Sequence, residues 1–490
     1  MEKSAEGWFG SSWWHNPFSS SIASAEDRIA LPMLEERCMV FAYHDPEEAR
    51  KDEEVEDRLL LAWRRAWWAN GFMPLVLGEA EAKKNPLYPK FETVKMKPEM
   101  KREVMRWLAW GMMGRGALVN HRVIPMGPLN DETLLSLKKC THYDAVTRYE
   151  EFGNLLYSAS KSSLESALNA LVKSPTLTMA STIEGALTSK DMLKVAPFPK
   201  GLADYTPASV SKLYGNLEPS KLPELINAHL HATFLSFYSD GIEYLAPFAG
   251  RLNAVNQPAV TLAHRLANCP TNSPIPISCP PNNPSCTPCN KRLAISSRPH
   301  YQNSSTTFLI GLVPHPFTTV QLTTTDLSLS NSRKDRAIRF IRRKLTRDPW
   351  VLKVTDEAFD NHHVGPQPRV VKMKEVVVSP PQEARTGFWG TETTGFRDVE
   401  WALGFTLPEE KELKLTLPPV EKKDTVKLAD AVKVVGKCEG NAVCRAVEAW
   451  CMADTELWKF VNAWAERREA VRVKWSGEER RFGKGLAEDE

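Results

Sequence analysis

The segment Met105 to Pro128, MRWLAWGMMGRGALVNHRVIPMGP, constrains the fold of this chain more than any other. An amphipathic helical run from about Glu99 to Met113 meets Gly114 and Gly116, and an apolar run from Ala117 to Ile124 then stops at Pro125. The order is helix, glycine turn, strand, proline. Glycine reaches the positive-φ conformations such a turn needs, and proline lacks the N–H to continue a central ladder, so the strand should end there in a loop. Open α/β sheets bind their ligands at such strand ends.

The residues upstream supply the rest of the sheet's beginning. Arg37 to His44, RCMVFAYH, reads as a strand closed by the turn Asp45-Pro46. From Glu47 to Asn70 the pattern is helical: Glu47, Glu48, Asp52, Glu53, Glu54, Glu56 and Asp57 crowd its start, and Arg64 and Arg65 lie near its end. That charge order complements the helix dipole, while Leu60, Trp63, Trp67 and Trp68 form the apolar side. Asn70-Gly71 ends the helix, and Phe72 to Leu77 is a second strand. A strand, helix and strand at this spacing form a βαβ unit with parallel strands.

The expected class is therefore α/β, with a Rossmann-like, mainly parallel sheet and flanking helices over residues 37–265. An aromatic arm, 1–36, precedes it, carrying Trp8, Phe9, Trp13, Trp14 and Phe18 to plug a groove on the body or dock a protein partner. A Cys/Pro-rich loop follows at 266–300, then a mixed α/β continuation at 301–407 and a hinge with a C-terminal helix at 408–490. Within these, strands are expected near 306–313, 317–322, 350–354 and 369–378, a basic helix at 333–346, and a long helix at 441–473.

Lys and Arg number 63 against 60 Asp and Glu, and a net +3 is too small to make nucleic acid an expected partner of the whole molecule. No run of about 18 apolar residues is present, so no membrane span is expected. The amino terminus lacks an apolar signal core and carries Glu2 and Glu6, which points to a cytoplasmic protein. The odd count of 9 cysteines fits free thiols in a reducing compartment better than a full disulfide framework.

The βαβ start, followed by Trp107-Leu108 in a helix, Gly114, Gly116 and a strand ending before Pro125, resembles the donor-binding half of nucleotide-sugar glycosyltransferases of the GT-A type over about residues 37–170. The resemblance implies a nucleotide-sugar donor and an unknown acceptor. In that family the strand carries an Asp-x-Asp pair holding Mg²⁺ or Mn²⁺ against the donor diphosphate. Here the matching places hold Asn120 and Arg122 with His121 between them, so no divalent cation is expected at the donor site. Two readings stay open. Arg122 and His121 neutralise a diphosphate directly in a metal-independent transferase, or the site has decayed and the fold serves as a non-catalytic scaffold. For Arg122 itself, a plain ion pair with an acidic neighbour is as good a reading. No catalytic base is assigned.

Cys269, Cys279, Cys286 and Cys289 form a second constellation, with Cys286 and Cys289 at the two-residue spacing that suits zinc. A structural zinc site, free or paired cysteines, and a redox role are its three readings. With the basic helix Arg333 to Thr346 it also raises a zinc-stabilised, nucleic-acid-associated factor as a third function. His229 and His231, two apart on an expected helix, would face different sides.

Overall fold

The computed structural model describes residues 31–45 and 52–237 with short gaps, isolated positions between 265 and 378, residues 396–407 and, with gaps, 456–482. Strand β1 (Cys38–Tyr43) sits between β2 (Phe72–Leu77) and β3 (Gly116–Val119), parallel to both. The sheet continues through β6 (Leu156–Ala159), β5 (Val146–Tyr149) and β7 (Leu193–Ala196), in the order β2-β1-β3-β6-β5-β7. β6 pairs antiparallel with β3 and β5, and β5 pairs parallel with β7. Five strands thus share one direction and β6 alone is reversed, a mixed sheet that is mainly parallel. A separate ribbon pairs β4 (Val123–Pro125) with β8 (Leu202–Asp204).

Helices cover both faces. Helix α1 (Glu53–Ala69) begins with Glu53, Glu54 and Glu56 and buries Leu59, Leu60, Trp63, Ala66 and Trp67, a stripe at helical spacing. These residues share a core with Cys38, Val40 and Ala42 of β1 and with Leu225, Ile226 and Leu230 of a later helix, Leu222–Phe237. Helix α4 (Pro98–Met113) follows the short helices α2 (Glu79–Lys84) and α3 (Tyr88–Glu92) and has proline in its first turn, where the missing N–H costs nothing. Its Val104, Trp107, Leu108 and Trp110 pack with Phe41 and Leu118, on the opposite face of β1 and β3. The chain leaves α4 through Gly114, at φ 95°, and Gly116 at φ 127°. A β-carbon on Gly116 would come within 2.6 Å of Met39 O, so glycine lets β3 close on β1.

The expected single strand 117–124 is two elements. Asn120 Oδ1 accepts the Arg122 N–H at 2.9 Å, and the Val123 N–H donates to Asn120 O at 2.9 Å. This side-chain-capped turn breaks the strand after Val119 and sends Val123–Pro125 to the β8 ribbon.

Helices α5 (Glu132–Lys138), α6 (Lys161–Val172), α7 (Ile183–Ala186), α8 (Pro207–Tyr214) and α9 (Leu222–Phe237) complete the body. The C-terminal segments return to it. Helix α10 (Phe396–Leu403) places Trp401 beside Trp475, whose ring stacks on Trp68 at 4.5 Å and whose indole N–H donates to Pro74 O at 2.9 Å. A buried pair, Arg64 with Glu479, joins the helical residues 466–479 that carry Trp475 to α1. The helical residues 466–479 run past the expected end at 473, because Trp475 carries an apolar anchor into an otherwise charged stretch.

Two further expectations are corrected. Cys38 pairs with Cys140 and Cys279 with Cys286, and Cys269 is disulfide-bonded as well, so these thiols are not free. Positions 371, 374 and 378, expected in a strand, are helical, and they fall at helical i, i+3, i+7 spacing. The aromatics of the arm up to Phe18, the basic helix 333–346 and the expected strands at 317–322 and 350–354 lie outside the described residues. Of 306–313, only β10 (Thr307–Phe308) is described, paired with β9 (Ala294–Ile295).

Candidate functional site at the sheet switch point

From β1 the chain crosses through α1 to β2 on one side, then returns through α4 to β3 on the other. The strand order therefore reverses between β1 and β3, and the carboxyl ends on either side of such a reversal are where open α/β sheets take ligands. His44 leaves β1 there, and Asn120, His121 and Arg122 leave β3. The three sequence-expected residues thus sit together in one turn, with Asn120 as its cap: its N–H donates to Leu155 O at 2.8 Å and its side chain holds Arg122 N–H.

The acidic first turn of α1 meets this turn. Glu56 accepts from His121 Nε2 at 2.7 Å through one carboxylate oxygen and from the Arg122 guanidinium through the other. All three side chains are mostly buried, with 16%, 15% and 20% of their surface exposed for Glu56, His121 and Arg122. Burial raises the Glu56 pKa, but the bond and charge of His121, the charge of Arg122 and that of His44 outweigh it and hold the carboxyl below its ordinary value. His44 is held below the usual imidazole range, first by burial and then by His121, against the opposing charges of Asp57, Glu56 and Asp45.

The cluster is one imidazole and one guanidinium bonded to a single carboxylate, with His44, Asp45 and Asp57 near enough to act through their charges. Among the described residues, one terminal nitrogen of Arg122 carries its only side-chain hydrogen bond, to Glu56, so the rest of the planar fork keeps donors to offer an anion. No group of three or more His, Cys, Asp or Glu able to hold a metal ion occurs among the described residues. His44 and Glu56 escaped the sequence reading, because Glu56 lies 65 residues from His121 and read only as a dipole-matching helix carboxylate.

Of the four cysteines, the three that are described are in disulfides. Cys279 and Cys286 are bonded to each other, Cys269 is disulfide-bonded, and Cys289 lies outside the described residues. A sulfur in a disulfide is not the thiolate that zinc requires. His229 and His231 are both buried and do face different partners: Tyr205 and Ser278 for the first, Leu266 O and the Phe405 ring for the second.

No curated protein and no solved structure matches the chain. The family model of a domain of unknown function, DUF8765, matches residues 2–427 and again 414–490. Together these spans take in nearly the whole polypeptide, and the chain belongs to the DUF8765 family.

Proposed function

We propose that this chain is a glycosyltransferase-like protein of GT-A type that takes a nucleotide-sugar donor at the carboxyl ends of β1 and β3, with Arg122 and His121 meeting the diphosphate in place of a divalent cation. The observation that carries this reading is the position of the Asn120–Arg122 turn at the strand-order reversal, with unspent guanidinium donors beside it. Glu56 then acts as a resident partner, which the diphosphate displaces from the Arg122 guanidinium and the His121 ring. The donor sugar and the acceptor are left open by this reading, and no base is assigned.

One observation favours a second reading, a non-catalytic scaffold on the same fold. Glu56 already pairs with both His121 and Arg122, and Glu53 and Glu54 add negative charge in the same helical turn. The disulfides of the described residues also favour folding in an oxidising compartment over the cytoplasmic setting expected from the amino terminus.

Thermal unfolding with UDP- and GDP-sugars, with EDTA or with Mn²⁺, separates the two. The donor reading predicts stabilisation in EDTA, about 2.7 kcal/mol at a hundredfold excess over Kd. Glu56→Gln, which removes the competing charge, enlarges that response, and Arg122→Ala abolishes it. A flat response of the wild type and both variants to every nucleotide leaves the scaffold.

A further inference from the structure

A short disulfide-closed loop grips the ribbon that carries the candidate turn. Cys279 and Cys286, seven residues apart, close it. Tyr214 OH donates to Cys279 O at 2.6 Å, and Asn282 Nδ2 donates to Lys200 O at 2.6 Å, just ahead of β8. Beside the disulfide, Ser278 Oγ lies 2.8 Å from His229 Nε2, and His229 Nδ1 lies 2.7 Å from Tyr205 OH. Tyr205 follows β8, and its N–H donates to Arg122 O at 2.8 Å. The loop therefore holds β8 on both sides, through Lys200 before it and Tyr205 after it. β8 pairs with β4 from Val123↔Asp204 to Pro125↔Leu202, and β4 begins at the residue after Arg122. Gly201 O also accepts the N–H groups of Met126 at 2.9 Å and Gly127 at 2.8 Å. Tyr205 is 0% and His229 1% exposed, so water does not readily replace a lost partner in this series.

We propose that the Cys279–Cys286 disulfide is a redox-sensitive brace for the Asn120–Arg122 turn, with Tyr205 and His229 as positioning residues. A dithiol reductant opens it: the S–S bond breaks, each sulfur gains one electron and one proton to become a thiol, and the dithiol closes to its own disulfide. The freed loop regains conformational entropy, which weakens its hold on Lys200 and on the Ser278–His229–Tyr205 series. The turn then loses the backbone support that places Arg122 beside Glu56 at the carboxyl end of β3. That this lowers nucleotide affinity rests on the function proposed above; the coupling of loop to turn does not.

The test is amide hydrogen exchange on the full chain, comparing wild type with Cys279→Ser/Cys286→Ser. The brace predicts at least tenfold faster exchange at Tyr205, Met126 and Gly127, with β1 amides unchanged. Ser278→Ala/Asn282→Ala, which leaves the disulfide intact and removes two of the loop's bonds, gives the same selective change if the double serine variant does not fold. Unchanged exchange at those three amides overturns the brace, and so does an equal rise throughout β1, which would mark a general stabiliser. UDP titration of the same samples keeps the two ideas apart: a wild type that ignores UDP, with selective exchange still seen, removes the donor reading and leaves the brace.

Discussion

At the turn after β3, one carboxylate serves an imidazole and a guanidinium, and its titration has a sign that can be checked. Glu56 is held below its ordinary pKa in the folded chain, so its contribution is present above the unfolded value of 4.5 and is lost as pH falls through the lower folded value. The buried imidazoles act over a higher window. Burial holds His229 and His231 at about 4 against an unfolded 6.5, so the neutral form is favoured in the fold. Stability is full above 6.5 and declines as pH drops toward 4, by about 2–3 kcal/mol for each imidazole at pH 4.5. Urea midpoints measured from pH 7.5 to 4.5 should fall steadily, and a profile flat down to pH 4.5 would contradict the burial of both rings. Asn120, His121 and Arg122 were legible in the sequence because a proline and two glycines frame them. Glu56 was not, since nothing local records which carboxylate of an acidic first turn a distant strand end will meet.

Among the elements, the βαβ start was legible because a period of about 3.6 residues in Leu60, Trp63 and Trp67 lies between two short apolar runs. The break of 117–124 was not: the Asn120 side chain caps its own turn, and an apolar run on either side hides it. Cysteine pairing was also hidden, because spacing does not specify partners. Cys38–Cys140 ties the start of β1 to the end of α5 across a separation of 102 residues. On the chain-entropy account, cross-linking a loop of that length contributes about 4–5 kcal/mol. Cys38→Ser/Cys140→Ser should lower the thermal midpoint by several degrees, and a midpoint equal to wild type would show that the bond constrains nothing. Trp475 anchors the C-terminal helix between Trp68 and Trp401. Trp475→Ala should cost about 3–5 kcal/mol in denaturant unfolding, as large-to-small changes at fully buried aromatics do. A loss under 1 kcal/mol would mean the helix is not docked there.

For the whole molecule, the sheet and the described return segments share the same two cores. Phe405, Leu407, Phe460 and Trp464 join the core built on α1, while Trp401 and Trp475 join the core on α4. Both faces of the sheet are closed by residues far along the chain, which leaves the carboxyl ends of β1 and β3 as the place where side chains of several elements meet a strand-order reversal. The proposal at stake is that the carboxyl ends of β1 and β3 hold a diphosphate on Arg122 and His121. Its most direct measurement is the ³¹P spectrum of UDP titrated with the purified chain in EDTA. The account predicts saturable shifts of both phosphorus resonances, larger with Glu56→Gln and absent with Arg122→Ala. Resonances that stay at their free positions with the wild type and with Glu56→Gln would contradict it.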